Sequence, residues 1–182
     1  MRILFYIPVL LITFLSFSGC EKDDSLDPRP VIVDGQYMRL DIKQSRMDAN
    51  NLESAFFGGT LTNPSGTVVK YELFVRVRRG DDTLSEYIPF GDPITTFPIE
   101  LRITPDDVKQ AYVEAGIDVG DIVNGDFIRF IGYSYDASGT KVVYGNLSRT
   151  VQSEAAYKQA YRFNTVLTTN LTTPAIYNSY EP

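Results

Sequence analysis

The chain contains no histidine, no tryptophan and one cysteine, Cys20. Without histidine, Ser-His-Asp and Cys-His catalysis and every histidine-based zinc site are excluded. Without tryptophan, the strongest ring for stacking on sugars is missing, and twelve Tyr and eleven Phe supply the aromatic surface instead. A single cysteine allows no intrachain disulfide. Basic residues are the minority, 17 Lys and Arg against 23 Asp and Glu, for a net charge of −6. No basic run occurs. That argues against nucleic acid, whose phosphates demand Lys and Arg, and against an anionic membrane face as a partner. The apolar run over residues 3–15 is shorter than the ~20 residues that span a bilayer. With Pro8 inside it, it reads as a cleaved signal rather than a membrane helix.

What is present at the amino terminus is an address. Arg2 supplies a positive start, the apolar run follows, and Ser18-Gly19 places two small residues before Cys20. Ser18-Gly19-Cys20 resembles the lipobox of bacterial lipoproteins, although Phe17 stands where an aliphatic residue is usual. The resemblance implies diacylglycerol on the Cys20 thiol and a membrane anchor through it. Glu21-Lys22-Asp23-Asp24 is similar to the acidic export signal of Bacteroidetes-type lipoproteins, which implies the outer membrane with the domain facing the cell exterior. Residues 1–19 are therefore a signal peptide, and residues 20–30, with Pro28 and Pro30, an acylated cysteine and an extended acidic tether. Removing 1–19 takes away one charge, Arg2, and leaves a chain of net charge −7, a size for one domain.

From residue 31 the pattern is of strands and turns. Residues 37–44 alternate with period two, Met38, Leu40 and Ile42 on one face. A second strand over 54–62 carries Gly58-Gly59, the mark of a bulge or a close backbone approach. Asn63 to Gly66 is a turn. Residues 68–78 place Val69, Tyr71, Leu73, Val75 and Val77 on one face. Lys70, Glu72, Arg76 and Arg78 take the other, with Phe74 as the odd member. Residues 86–90 are an edge strand because of Pro89, and Phe97, Ile99, Leu101 and Ile103 alternate next. Thr104-Pro105-Asp106-Asp107 starts a helix with a cap, a proline at the first helical position and acids at the positive end. Val108, Ala111, Tyr112 and Ala115 form its apolar stripe, and Gly116 ends it. Residues 127–135 are apolar on both faces, hence central. Asp136 to Gly139 turns into a return strand over 141–147, and 156–166 is the last strand. The domain spans 31–167, and 168–182, rich in Thr and Asn, is a loosely ordered tail.

Some eight strands with closely spaced turns and one inserted helix indicate an all-β fold, an antiparallel sandwich of the immunoglobulin or fibronectin-III type. Several stretches carry a family likeness: residues 70–77, Lys-Tyr-Glu-Leu-Phe-Val-Arg-Val; Thr96-Phe97-Pro98; Ile103-Thr104-Pro105; Gly125-Asp126; and Ala160-Tyr161-Arg162-Phe163. They resemble the amino-terminal immunoglobulin-like domain of uncharacterised Bacteroidetes-type surface lipoproteins encoded beside SusC/SusD-like nutrient uptake systems, over most of 31–166. The resemblance implies a role in glycan or nutrient capture, with SusC/SusD-like outer-membrane proteins as partners, by association only. Asp82-Thr83-Leu84 is similar to the O-glycosylation motif of such exported proteins.

Two clusters are candidate sites. Tyr133, Tyr135 and Tyr144 fall on neighbouring hairpin strands and could form a ring platform for polysaccharide; cross-strand sheet packing is the plainer reading. Asp118, Asp121, Asn124 and Asp126 in an acidic loop offer oxygen ligands suited to calcium, but the spacing matches no EF-hand, and a polar loop is the plainer reading. No other cofactor is indicated. Glu72, Glu86 and Glu100 are not paired as glycoside hydrolysis requires. The expectation is a non-enzymatic, lipid-anchored surface protein that binds glycan or assists an uptake complex. The alternative is a structural or adhesive module that docks on a protein partner through a sheet edge.

Overall fold

The computed structural model describes residues 35–83, 85–153 and 155–171. The signal, the Cys20 anchor, the tether and the tail beyond Leu171 lie outside the described residues. In chain order, the first strand β1 (Arg39–Gln44) is followed by a two-residue β2 (Met47–Asp48) and by β3 (Phe57–Thr62). The long β4 (Val68–Arg79) follows the Asn63–Gly66 turn, closed by Gly66 N–H on Asn63 O. Two short edge pieces, β5 (Asp82–Thr83) and β6 (Ile88–Pro89), both pair with β4, and β7 (Ile99–Ile103) leads into helix α1 (Pro105–Glu114). Then come β8 (Phe127–Asp136), β9 (Lys141–Val142), a five-residue helix α2 (Arg149–Ser153) and β10 (Arg162–Thr168).

These strands make two sheets. The smaller is β1-β3-β7. The larger runs β2-β10-β8-β4-β5, with β6 added to β4 and β9 to β8. Every pairing is antiparallel except β2 with β10. β8 is central, between β4 and β10, as its two apolar faces require.

The core takes residues from both sheets. Phe57 of the smaller sheet stacks on Phe163 at 5.5 Å and on Phe130 at 6.2 Å, and Phe130 stacks on Phe163 at 5.2 Å. All three are fully buried, and each such pair adds about 0.5–1.5 kcal/mol beyond its area. The buried tyrosine hydroxyls are satisfied, as burial demands. Tyr71 donates to Ala160 O, Tyr161 bonds Ser134 Oγ at 2.9 Å, and Tyr112 accepts the Val77 N–H at 2.9 Å. The last bond fills the gap in the β4 edge between β6 and β5 and links α1 to the larger sheet.

Several local expectations are met for the stated reasons. Thr104 and Asp107 form a reciprocal capping box, with Thr104 Oγ1 accepting Asp107 N–H at 3.1 Å and Asp107 Oδ2 accepting Thr104 N–H at 2.8 Å. Gly116, at φ +73°, ends α1. Gly59 is the close approach: a Cβ there would stand 2.6 Å from Asp41 O, beside an irregularity in β1 between Ile42 and Gln44.

Other expectations need correction. A register shift between Val68 and Lys70 turns Val68 into the core and leaves Val69 47% exposed. Ala115 is exposed and caps α1 rather than completing its stripe. The return strand over 141–147 stops after Val142, because Asn146 Oδ1 takes the Val143 N–H at 2.9 Å and curls Tyr144 to Asn146 into a 3-10 turn. The last strand begins at Arg162, not at 156; before it lie α2 and a second 3-10 turn. Ser148 Oγ accepting Val151 N–H is the cap that starts α2.

Candidate functional site

The outward positions of β4 and β8 form the best-defined polar surface. In β8, Ile128, Phe130 and Ser134 point to the core, so Tyr133 and Tyr135 share the outer face. The β4–β8 register sets Lys70 against Tyr135 and Glu72 against Tyr133, and the hairpin sets Lys141 against Tyr135 from the other side. One rung therefore reads Lys141–Tyr135–Lys70 across three strands. Lys70 Nζ lies 4.0 Å from the Tyr135 ring centroid, Lys141 Nζ lies 4.8 Å from that of Tyr133, and Phe74 packs on Tyr133 at 4.8 Å. Glu72 ties the rung together: Oε1 accepts Lys70 Nζ at 2.9 Å and Oε2 accepts the Tyr135 hydroxyl at 2.8 Å.

The electrostatics follow from these contacts. The Lys70 hydrogen bond, and after it that of Tyr135, holds the Glu72 carboxyl below its ordinary range. Partial burial, then the Glu72 carboxylate, pushes the Tyr135 hydroxyl up to about 12. The rung thus carries two ammonium groups, one carboxylate and a neutral phenol at neutral pH.

Further along the same face the rings and cations continue to alternate. Arg76 lies over Tyr87 at 4.7 Å and Arg78 faces Phe127 at 5.8 Å. Arg129 is 2% exposed, with Nε on Asn164 Oδ1 at 3.1 Å. Tyr144 leaves the sheet for the 3-10 turn, where the Arg162 guanidinium covers its ring at 5.3 Å. Of the three tyrosines expected to form a platform, Tyr133 and Tyr135 share the face, and Tyr144 stands off the end of the hairpin. Lys70 and Lys141 were not among the candidates, and Glu72 was weighed only as a hydrolytic carboxylate. Their signal was in the sequence: Phe74 among the charged outward positions of β4 marks that face as covered by rings.

The acidic loop is ordered by its own cations. Asp126 is fully buried, and Arg79 grips it at two points, Nε to Oδ1 and the terminal nitrogen to Oδ2, each 2.8 Å. Asp126 Oδ2 also accepts Val123 N–H at 2.8 Å. Asp121 Oδ1 accepts Lys109 Nζ at 2.6 Å, Asp118 Oδ1 caps Gly120 N–H at 2.9 Å, and Asn124 is exposed. Among the described residues no group of three or more acidic side chains, histidines or cysteines is placed to hold a metal ion. A cleft of about 430 Å³ opens beside the Lys109–Asp121 pair, lined by Leu52, Ile122 and Val123.

Of the three glutamates, Glu72 sits on the larger sheet and Glu100 on the smaller, where it accepts Lys43 and Thr60. Asp82 and Thr83 are exposed in β5, and Leu84 lies outside the described residues. Among the described residues no helix is long and apolar enough to cross a membrane. No family model matches the chain, and no curated protein matches it.

Proposed function

We propose that the protein is a non-enzymatic lipoprotein of the outer-membrane surface, anchored by lipid on Cys20 and facing the exterior, whose domain binds glycan within a SusC/SusD-like nutrient uptake system. The lipobox likeness of Ser18-Gly19-Cys20 and the acidic stretch behind it support the address. The domain is read as a sandwich of the immunoglobulin or fibronectin-III type; the stacking of Phe57 on Phe130 and Phe163 between the sheets supports this. The observation that carries the binding reading is the Lys141–Tyr135–Lys70 rung with Tyr133 beside it, because sugar recognition needs flat apolar faces flanked by hydrogen-bonding groups. No cofactor is assigned a role.

The test is affinity electrophoresis of the detergent-solubilised full chain through gels containing single polysaccharides. Retardation that disappears in Tyr133→Ala and Tyr135→Ala supports the reading; unretarded migration across a broad panel overturns it.

A second reading, a module that docks on protein, rests on β7. Among the described residues this strand pairs with β3 alone, and Ile99 is 37% exposed, the form of an edge open to strand addition. A partner captured from outer membranes by the wild-type chain but not by Ile99→Pro would favour it.

A further inference from the structure

We infer that the outer face of the larger sheet takes an acidic polysaccharide, one bearing carboxylate or sulfate groups, rather than a neutral one. This rests on the glycan-binding reading above and narrows it to a ligand class.

The warrant is charge segregation. The chain is acidic overall, at net −6. Yet the outward positions of β4, β8, β9 and β10 carry Lys70, Arg76, Arg78, Lys141 and Arg162 against the one carboxylate of Glu72, and β2 at the far edge adds Asp48. Such inversion of sign on one face draws anions and repels little of its own. The open end of this face is the Tyr rung: Lys141 is exposed, Lys70 is 39% exposed on its side chain, and Arg129 and Asn164 further along are buried. Lys141 makes no ion pair among the described residues, and its ammonium rests over Tyr133. Lys70 and Lys141 stand two strand spacings apart, about 10 Å, a span that a disaccharide covers. A sugar lying across Tyr133 and Tyr135 would place its ring carbons on the aromatic faces and its acidic substituents within reach of both ammonium groups. The Lys141 ammonium then exchanges a ring contact for an ion pair, and that of Lys70, already paired with Glu72, gains a second anionic partner. A neutral sugar would gain the stacking and leave both cations where they are.

Glu72 sets the sign of the most telling variant. It is the only acid facing the ligand from these strands, so removing its charge should strengthen acidic-glycan binding, whereas damage to a purely structural rung would weaken it.

The experiment uses the detergent-solubilised full chain in gels of dextran, dextran sulfate and polygalacturonate, with single-stranded DNA as a competing polyanion and salt as a variable. The expected result is retardation by dextran sulfate, polygalacturonate or both, absent in dextran and lost as salt rises. Lys141→Gln should weaken binding by about fivefold at an unchanged melting temperature, and Glu72→Gln should tighten it by a similar factor. Dextran sulfate alone identifies sulfate as the group read, and polygalacturonate alone identifies carboxylate. Retardation by neutral polysaccharide only would overturn the inference and leave the glycan-binding reading standing. Retardation by none would overturn both. Displacement by single-stranded DNA at equal charge would make the face a general polyanion surface and overturn the inference as well.

Discussion

Arg79 at the end of β4 grips Asp126 at the mouth of β8 through two parallel hydrogen bonds of 2.8 Å. Asp126 is fully buried and Arg79 is 40% exposed on its side chain. The same guanidinium donates to Asp121 O, and the Asp126 backbone carbonyl accepts Leu167 N–H. One ion pair therefore holds β4, the acidic loop and β10 in register. Asp126→Asn keeps the volume and loses the charge, leaving Arg79 opposite an amide. The loss should be about 2–3 kcal/mol in urea unfolding. Arg79→Lys, which keeps the charge without the fork, should lose less. Equal losses would mean that two-point geometry, not charge alone, does the holding.

The same contacts bear on calcium. A cation entering the loop would have to displace Arg79 from Asp126 and Lys109 from Asp121. Treatment with chelator followed by calcium should leave the melting temperature of the full chain unchanged within about 1 °C, since a ligand that binds the folded state would raise it. A rise on adding calcium would restore Asp118, Asp121, Asn124 and Asp126 as its ligands.

Two glycines should respond differently to alanine. At Gly59 the new methyl would stand 2.6 Å from Asp41 O and 2.9 Å from Ile42 Cα, both backbone atoms of a paired strand. Nothing there can swing aside, so Gly59→Ala should cost on the order of 2–3 kcal/mol. Gly66, at φ +69°, faces open space, and Gly66→Ala should cost about 1 kcal/mol, from backbone conformation alone. Thermal melts of the two variants compare the terms directly.

How far the fold could be read from the chain depended on how local its causes were. The Thr104 cap and the turn ending at Gly139 involve neighbours in sequence, and both were legible. The alternation of β4 was legible from Tyr71 onward but misplaced Val69, because a bulge sets two residues against one and period-two counting cannot register it. The return arm after Lys141 looked like a strand from Val142 and Val143, but Asn146 offered the backbone a competing bond. The site divides in the same way. That Tyr133 and Tyr135 share a face follows from their spacing. That Lys70 and Glu72 meet them depends on a pairing between residues some sixty positions apart, which one chain's pattern does not specify.

On the acid side, Asp41 and Glu72 are the groups to watch. Lys158 and Arg39 hold the Asp41 carboxyl below its ordinary value of 3.8, and Lys70 and Tyr135 hold Glu72 below 4.5. For a depressed carboxylate the stabilisation is present above the ordinary value and is lost as pH falls through the folded one. Melting temperature should therefore be flat down to about pH 5 and fall below about pH 4. Asp41→Asn should be less stable than wild type at pH 7, and the gap should close in acid. A gap that persists at low pH would assign the loss to packing instead.

The alkaline side has the opposite sign. Burial, followed for Tyr135 by the Glu72 carboxylate, pushes Tyr135 up to about 12. Burial raises Tyr161 to about 12 and Tyr71 well above the ordinary 10.0. A phenol whose folded value is raised binds its proton longer in the fold than in the unfolded chain. Its contribution is complete below pH 10 and is lost as pH climbs toward the folded value. Tyrosinate absorbance should thus rise in two stages. The late stage belongs to five tyrosines with raised hydroxyls, Tyr37, Tyr71, Tyr112, Tyr135 and Tyr161, and it should come only as the fold opens, together with loss of near-ultraviolet circular dichroism. In Glu72→Gln the carboxylate no longer opposes ionisation of Tyr135, so part of the late absorbance should move to lower pH while Tyr71 and Tyr161 stay late. A single ionisation step near pH 10 with the fold intact would show that these hydroxyls reach water, and the core contacts of Tyr71 with Ala160 and of Tyr161 with Ser134 would then have to open without unfolding the chain.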